Sequence, residues 1–385
     1  MRAALLLAIP LYAQQLLPPT GPYPVGRTSI AIEDATRFEP LDPNHSPRRI
    51  AVDIWYPASP SKETNAEFLN VPAFEAAIGA DALKKQLGAA YGVVKSGSVK
   101  TQATANSPFA ASLKSAPLLL FSPGGGMIRE LYASQLQDLA SHGYIVAALS
   151  HNYDAFLSIF PDGSSIAYDG KRWPRIPSFE GEANLNQLEW HTSDILAVLD
   201  HLTQKQSKFP VNTSQIGAFG HSFGGVSAAH ACQRDLRIKA CLNQDGAMAM
   251  KPYYPDPRGW GMDQAFMFIE RPPNTAPLTD ADLAGLNVSL DRAKQMIARL
   301  NADRDRILRN SGGGSYRVML DRSRTTHADF SDLEVLSARE NAPESLTLIR
   351  NYTRAFFDKH LSGKSASILD SKSIQTFPPA PHVLP

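Results

Sequence analysis

The chain has 385 residues, of which 43% are hydrophobic and 19% charged, a composition that can bury a large core and excludes wholesale disorder. Lys plus Arg number 38 against 37 Asp plus Glu, so no net basic charge points to nucleic acid or an anionic membrane as partner.

Arg2 precedes an apolar run over residues 3–11, followed by Tyr12, Ala13 and Gln14. A positive start, a short apolar stretch and a small residue before a polar one are expected of an export signal over residues 1–13, cleaved near Ala13. The run is too short to span a bilayer as a helix, and no later stretch approaches roughly 18 uninterrupted apolar residues, so no transmembrane anchor is predicted. The mature chain, residues 14–385, then reads as one secreted or periplasmic domain. Its opening, residues 21–26, is rich in turn formers, and strands are predicted at 28–32 and 49–56, the second with Ile50, Val52 and Ile54 in alternation. Residues 63–115 yield only a hint of helix near 82–87.

From residue 118 the pattern becomes regular. Leu118 to Phe121 is a continuous apolar run that reads as a strand buried on both faces, ending in Ser122-Pro123-Gly124-Gly125-Gly126. A helix is predicted over 131–140, a strand over 144–149, a helix over 195–202 and a strand over 216–219. Further strands fall at 240–242, 265–269 and 316–320, and a last helix at 343–361 before a proline-rich tail. Strands alternating with helices predict an α/β chain with a mostly parallel central sheet covered on both faces. Residues 152–186 are long for a connection and mix aromatic residues with glycine and proline, which suggests a cap or lid beside the site.

Gly220-His221-Ser222-Phe223-Gly224-Gly225 lies between a predicted strand and a predicted helix, the context that gives G-x-S-x-G its meaning. A sharp turn there presents the Ser222 hydroxyl at the edge of the sheet and aims the helix N-terminus at the reacting group. Serine is a poor nucleophile until a base takes its proton, so a histidine must come within reach. His230 would lie inside the helix that Ser222 opens, His360 near the end of the last helix, and His382 in the tail. His327, in the loop after the strand at 316–320, is the expected base. Two acids compete to orient it: Asp245, after the strand at 240–242, and Glu270, which ends the next strand. Arg271 could instead make Glu270 a surface ion pair. Backbone N–H groups of Phe223 and Gly125 are the expected oxyanion donors. Cys232 and Cys241, on a helix and the following strand, fit a disulfide or two buried thiols. His-Glu-x-x-His, Cys-x-x-Cys and the phosphate-loop Gly-Lys-Ser/Thr signature do not occur, so neither cofactor nor metal is expected.

With these residues in view the chain resembles the platelet-activating factor acetylhydrolase family of exported, phospholipase-type esterases, within the α/β-hydrolase fold. The resemblance is carried by residues 21–26, Phe121-Ser122-Pro123-Gly124-Gly125, residues 138–148 (Asp-Leu-Ala-Ser-His-Gly-Tyr-Ile-Val-Ala-Ala), residues 220–225 and residues 327–330. It implies Ser222, Asp245 and His327 as a catalytic triad, with Gly125 and Phe223 as oxyanion donors, and so selects Asp245 over Glu270. It also implies a short or truncated acyl ester, of small-molecule or phospholipid type, and at most transient contact with a lipid surface. Pro123 departs from the family pattern, which has histidine before the oxyanion glycine, and residues 152–186 and 251–262 match it poorly. A general carboxylesterase or polyester-type hydrolase, a peptidase, and a non-catalytic binding module on the same fold are the alternatives. Oligomeric state has no signature in the sequence.

Overall fold

A computed structural model of the chain describes residues 14–61, 65–170, 182–247, 261–272, 289–371 and 374–378. The expected signal at 1–13, residues 171–181 of the expected cap, His382 and residues 251–260 of the poorly matching loop lie outside them.

In chain order the described elements begin with strands β1 (Val25–Phe38), β2 (Pro47–Pro57) and β3 (Asn65–Glu67), then helices α1 (Val71–Ile78), α2 (Ala80–Leu87) and α3 (Tyr91–Lys95). Strands β4 (Lys100–Ala105) and β5 (Ala116–Ser122), helix α4 (Ala133–Ser141) and strand β6 (Ile145–Leu149) follow. After a small hairpin of β7 (Leu157–Ile159) and β8 (Ser165–Ala167) come α5 (Glu182–Thr203), β9 (Val211–His221), α6 (Phe223–Arg234) and β10 (Ile238–Gln244). The chain continues through β11 (Ala265–Glu270), α7 (Leu290–Arg309), β12 (Ser315–Met319), α8 (Leu333–Leu336), α9 (Ala342–Ser362) and β13 (Gln375–Phe377).

Eleven strands form one sheet in the order β13-β12-β11-β10-β9-β5-β6-β2-β1-β4-β3. The six central strands, β12 through β6 in that order, are parallel, whereas β2 and β13 pair antiparallel with their neighbours. Parallel strands place all their C-terminal ends at one edge, and the loops leaving that edge are where ligands of such sheets bind. Alternation along β5 divides its run between the two faces. Leu119 and Phe121 join the cluster containing Leu136, Leu139 and Phe357, while Leu118 and Leu120 join the one containing Ile195, Leu199 and Val226. Each such side chain contributes about 1.5–3 kcal/mol on burial, and together they hold the sheet edge rigid.

The predicted strands from 118 onward all form. Residues 65–115 fold into β3, α1–α3 and β4; α2 is the helix hinted at near 82–87, and the other elements show no readable period. Helix α1 is started by Asn70, whose side-chain oxygen accepts from the Ala73 N–H at 3.2 Å, and by Pro72 in its first turn. Of the 152–186 cap segment, residues 152–170 hold a buried stretch and the β7–β8 hairpin, and residues 182–186 are the first turn of helix α5. Cys232 and Cys241 form a disulfide that ties α6 to β10, with Cα atoms 6.4 Å apart.

Candidate active site

Ser222 occupies the tight turn between β9 and α6, with φ 53° and ψ −124°. A non-glycine residue at positive φ costs about 1–3 kcal/mol and persists only where its surroundings enforce it. Here the Ser222 N–H donates to the Gln244 carbonyl at 2.8 Å, and the Ser222 carbonyl accepts from the Gly225 and Val226 amides that open α6. The flanking glycines leave room for the turn. A Cβ on Gly224 would stand 2.1 Å from the Ser122 carbonyl oxygen, and one on Gly220 would stand 2.3 Å from that of Gly224.

Asp245 follows β10, also at positive φ (54°), with its N–H donating to the Ile269 carbonyl at 2.8 Å. His327 opens a 3-10 turn (His327–Phe330) in the loop after β12. Its Nδ1 lies 2.6 Å from Asp245 Oδ2, and that oxygen also accepts from Arg271 Nε at 2.8 Å; Oδ1 accepts from the Arg271 N–H at 3.1 Å. Burial pushes the Asp245 carboxyl up, but the His327 hydrogen bond and the charges of His327 and Arg271 outweigh it and hold the group at about 2. The carboxylate is therefore ionised at any neutral pH. Asp329 steadies the turn, its carboxylate accepting from the Thr326 N–H at 2.6 Å and pairing with Arg339.

Glu270 is elsewhere. It is 1% exposed, with Oε1 accepting from Arg317 Nε at 2.5 Å and Oε2 3.2 Å from Arg304 Nε. The alternative of a surface pair between Glu270 and Arg271 is not realised; Asp245 takes Arg271. The structure thus brings His327 to Asp245 and leaves Glu270 in a buried arginine cluster between β11, α7 and β12.

Gly125 is exposed on the loop after β5, and a Cβ placed on it would lie 3.6 Å from that of Phe223. Among the described residues neither the Gly125 nor the Phe223 amide donates to a protein acceptor, whereas the amides on either side of Gly125 do. Gly124 N–H donates to the Tyr132 hydroxyl at 3.0 Å, and Gly126 N–H to Asp154 Oδ2 at 3.4 Å. The Tyr132 hydroxyl in turn lies 2.9 Å from His221 Nδ1, beside the serine. Burial, and then the nearby His327, push His221 well below the ordinary histidine value, so its ring is neutral and its Nδ1 can accept the Tyr132 proton.

A second Ser–His–Asp array lies beneath this loop. Ser122 Oγ is 2.9 Å from His151 Nε2, and His151 Nδ1 is 3.0 Å from Asp194 Oδ2, itself held by Arg48 at 2.6 Å. Ser122 and His151 are buried, so the array braces β5 against the 150s loop. His191 stacks on His151 with ring centroids 3.6 Å apart, and its Nε2 is 3.5 Å from Asp154 Oδ2. None of this was read from the sequence. The available signal was His151-Asn152-Tyr153-Asp154, a polar run immediately after a fully buried strand, where the chain leaves the functional edge of the sheet.

Ser222, Phe223, Asp245 and His327 share a pocket of about 400 Å³ with Val226, Arg271, Arg304 and Arg322. An accessible serine on a strained strand-to-helix turn, lining one pocket with a carboxylate-bound imidazole and lying near two uncommitted amides, has the parts for acyl transfer. A solved ferulic acid esterase from Streptomyces cinnamoneus superposes with a TM-score of 0.73 at 25% identity, over 95% of this chain and 99% of that one. Fold and site together define a serine ester hydrolase of the α/β-hydrolase class. Within that class the chain is similar to the platelet-activating factor acetylhydrolases. The family model described as platelet-activating factor acetylhydrolase, isoform II, matches residues 11–187. The platelet-activating factor acetylhydrolase of Canis lupus familiaris is 24% identical over 93% of this chain and 80% of its own length. A probable 1-alkyl-2-acetylglycerophosphocholine esterase of Arthroderma benhamiae is 27% identical over 60% of this chain and 59% of its own. No described helix is long and apolar enough to cross a membrane.

Proposed function

We propose that Ser222, His327 and Asp245 are the catalytic triad and that the Gly125 and Phe223 amides form the oxyanion hole. Ser222 Oγ attacks the ester carbonyl and passes its proton to His327 Nε2; Asp245 keeps the other ring proton on Nδ1 and stabilises the imidazolium. The two amides receive the charge that develops on the carbonyl oxygen. His327 then protonates the departing alcohol, and a water molecule, deprotonated by the same imidazole, releases the acid from Ser222. The observation that carries this reading is the 2.6 Å contact of His327 Nδ1 with Asp245, made at the wall of the pocket that Ser222 lines.

The substrate we infer is an ester with a short or truncated acyl group, of the phospholipid type named by the dog and fungal relatives. The ferulic acid esterase, which matches nearly end to end, favours a second reading as a carboxylesterase for non-lipid esters. We also infer export with cleavage near Ala13, from the residues before it, and a single catalytic domain with a cap segment beside the site. N-terminal sequencing of the mature protein at Gln14 would support export. Ser222→Ala decides the mechanism. With the fold retained by circular dichroism, turnover of 4-nitrophenyl acetate should fall by about 10⁴ or more. Turnover within tenfold of the parent would remove Ser222 as nucleophile. A graded series of acyl lengths, including a 2-acetyl phospholipid, separates the two substrate readings.

A further inference from the structure

The pocket that holds Ser222 and His327 is lined by three arginines, each from a different element: Arg271 after β11, Arg304 on α7 and Arg322 after β12. Catalysis of ester hydrolysis does not call for them. Arg271 spends its N–H and Nε on Asp245, and among the described residues its two terminal amino groups make no bond. Arg304 reaches Glu270 only through Nε, and Glu270 is already held by Arg317. Arg322 donates Nη1 to the Pro272 carbonyl at 2.8 Å and meets no carboxylate among the described residues. Three guanidinium groups thus line one cavity, while Asp245, which takes Arg271, is also hydrogen-bonded to His327, and Glu270, beside Arg304, is also held by Arg317. A concave wall of one charge sign concentrates field in the cleft, and guanidinium groups bind carboxylate and phosphate through paired N–H donors.

We propose that this arginine cluster is a subsite for an anionic group on the substrate, so that the preferred ester carries a carboxylate or a phosphate close to its scissile bond. This rests on the assignment of Ser222 as nucleophile and narrows the substrate class of the same site. Arg271 would serve both halves, orienting Asp245 through Nε and presenting its outer amino groups to the anion. Arg322, exposed and without a carboxylate partner among the described residues, is the most selective place to test the subsite.

The experiment compares kcat/KM for paired esters that differ in charge. One pair is mono-4-nitrophenyl succinate against 4-nitrophenyl butyrate. The other is a 1-alkyl-2-acetylglycerol with its phosphocholine against the same compound without it. In Arg322→Glu, the charged-to-neutral ratio should fall by about tenfold or more relative to the parent, the range for losing a charged hydrogen bond and reversing its sign. Arg322→Lys should keep most of the ratio, and free succinate should inhibit the parent more strongly than Arg322→Glu. A fall in the succinate pair alone assigns the subsite to carboxylates, a fall in the phosphocholine pair alone assigns it to phosphate, and a fall in both assigns it to either anion. Ratios within twofold of the parent in both pairs would overturn the proposal. Because the readout is a ratio, that result would leave the Ser222 assignment intact, and only the Ser222→Ala measurement bears on the latter.

Discussion

Asp245→Asn tests the proposed relay at its most constrained atom. In the parent every Asp245 acceptor is in use: Oδ2 takes His327 Nδ1–H and Arg271 Nε, and Oδ1 takes the Arg271 N–H. An amide can accept at only one end. If its oxygen faces His327, its NH₂ meets the Arg271 N–H; if its NH₂ faces His327, the imidazole must carry its proton on Nε2 and is no longer a base toward Ser222. The change also removes a unit charge about 3–4 Å from the imidazolium that forms in the transition state, worth about 4 kcal/mol at an effective dielectric of 20. That is about 10³ in rate, and the wrong tautomer adds to it, so kcat should fall by about 10³–10⁴. Stopped-flow or steady-state hydrolysis of 4-nitrophenyl acetate, with melting temperature as a check on folding, measures it. Glu270→Gln is the control: it should keep kcat within about tenfold while lowering stability, since Arg317 and Arg304 lose a buried carboxylate. An Asp245→Asn enzyme retaining a tenth of parental kcat, or a well-folded Glu270→Gln enzyme crippled as severely, would refute the reasoning.

Tyr132→Phe removes the hydroxyl that joins Gly124 to His221, loosening the loop that carries the Gly125 amide. The expected result is a fall of about tenfold in kcat with KM little changed, below the 10²–10³ cost of losing an oxyanion donor outright; an unchanged kcat would show that the loop needs no such strut. Burial raises the Asp332 carboxyl to about 7 in the folded chain, against 3.8 for the free group. Below about pH 4 both states are protonated, and above it the unfolded state ionises first. The group therefore withdraws stability as pH rises toward 7, about 4 kcal/mol in all. Asp332→Asn should raise the urea midpoint at pH 8 and leave it unchanged near pH 4, and the opposite ordering would contradict the burial argument. Replacing both Cys232 and Cys241 by alanine should cost about 2–3 kcal/mol for a short closed loop. Equal stability of the parent with and without reductant would mean that the thiols are not paired.

The sheet and its sense can be read from the residues alone. Continuous apolar runs such as those of β5 and β6 fit only strands covered on both faces, and the glycines around Ser222 mark a turn that side chains would block. These are local facts, written within a few residues of one another, and so the strands from 118 onward and the serine turn were legible. Of helices α1–α3 only α2 left a trace, the hint of helix near 82–87, because eight residues or fewer barely display a helical period; the rest of their evidence lay in Asn70, Pro72 and the glycines at 79 and 88. Residue spacing could not choose between Asp245 and Glu270, since both end strands at the same edge. The family resemblance favoured Asp245, and it is the folded chain that sends Arg271 and His327 to Asp245 and closes Arg317 and Arg304 around Glu270. The same holds for the disulfide, the buried Ser122–His151–Asp194 brace and the arginine wall. Each joins side chains from separate elements, and their meeting depends on strand order and helix packing, which no single stretch of chain encodes.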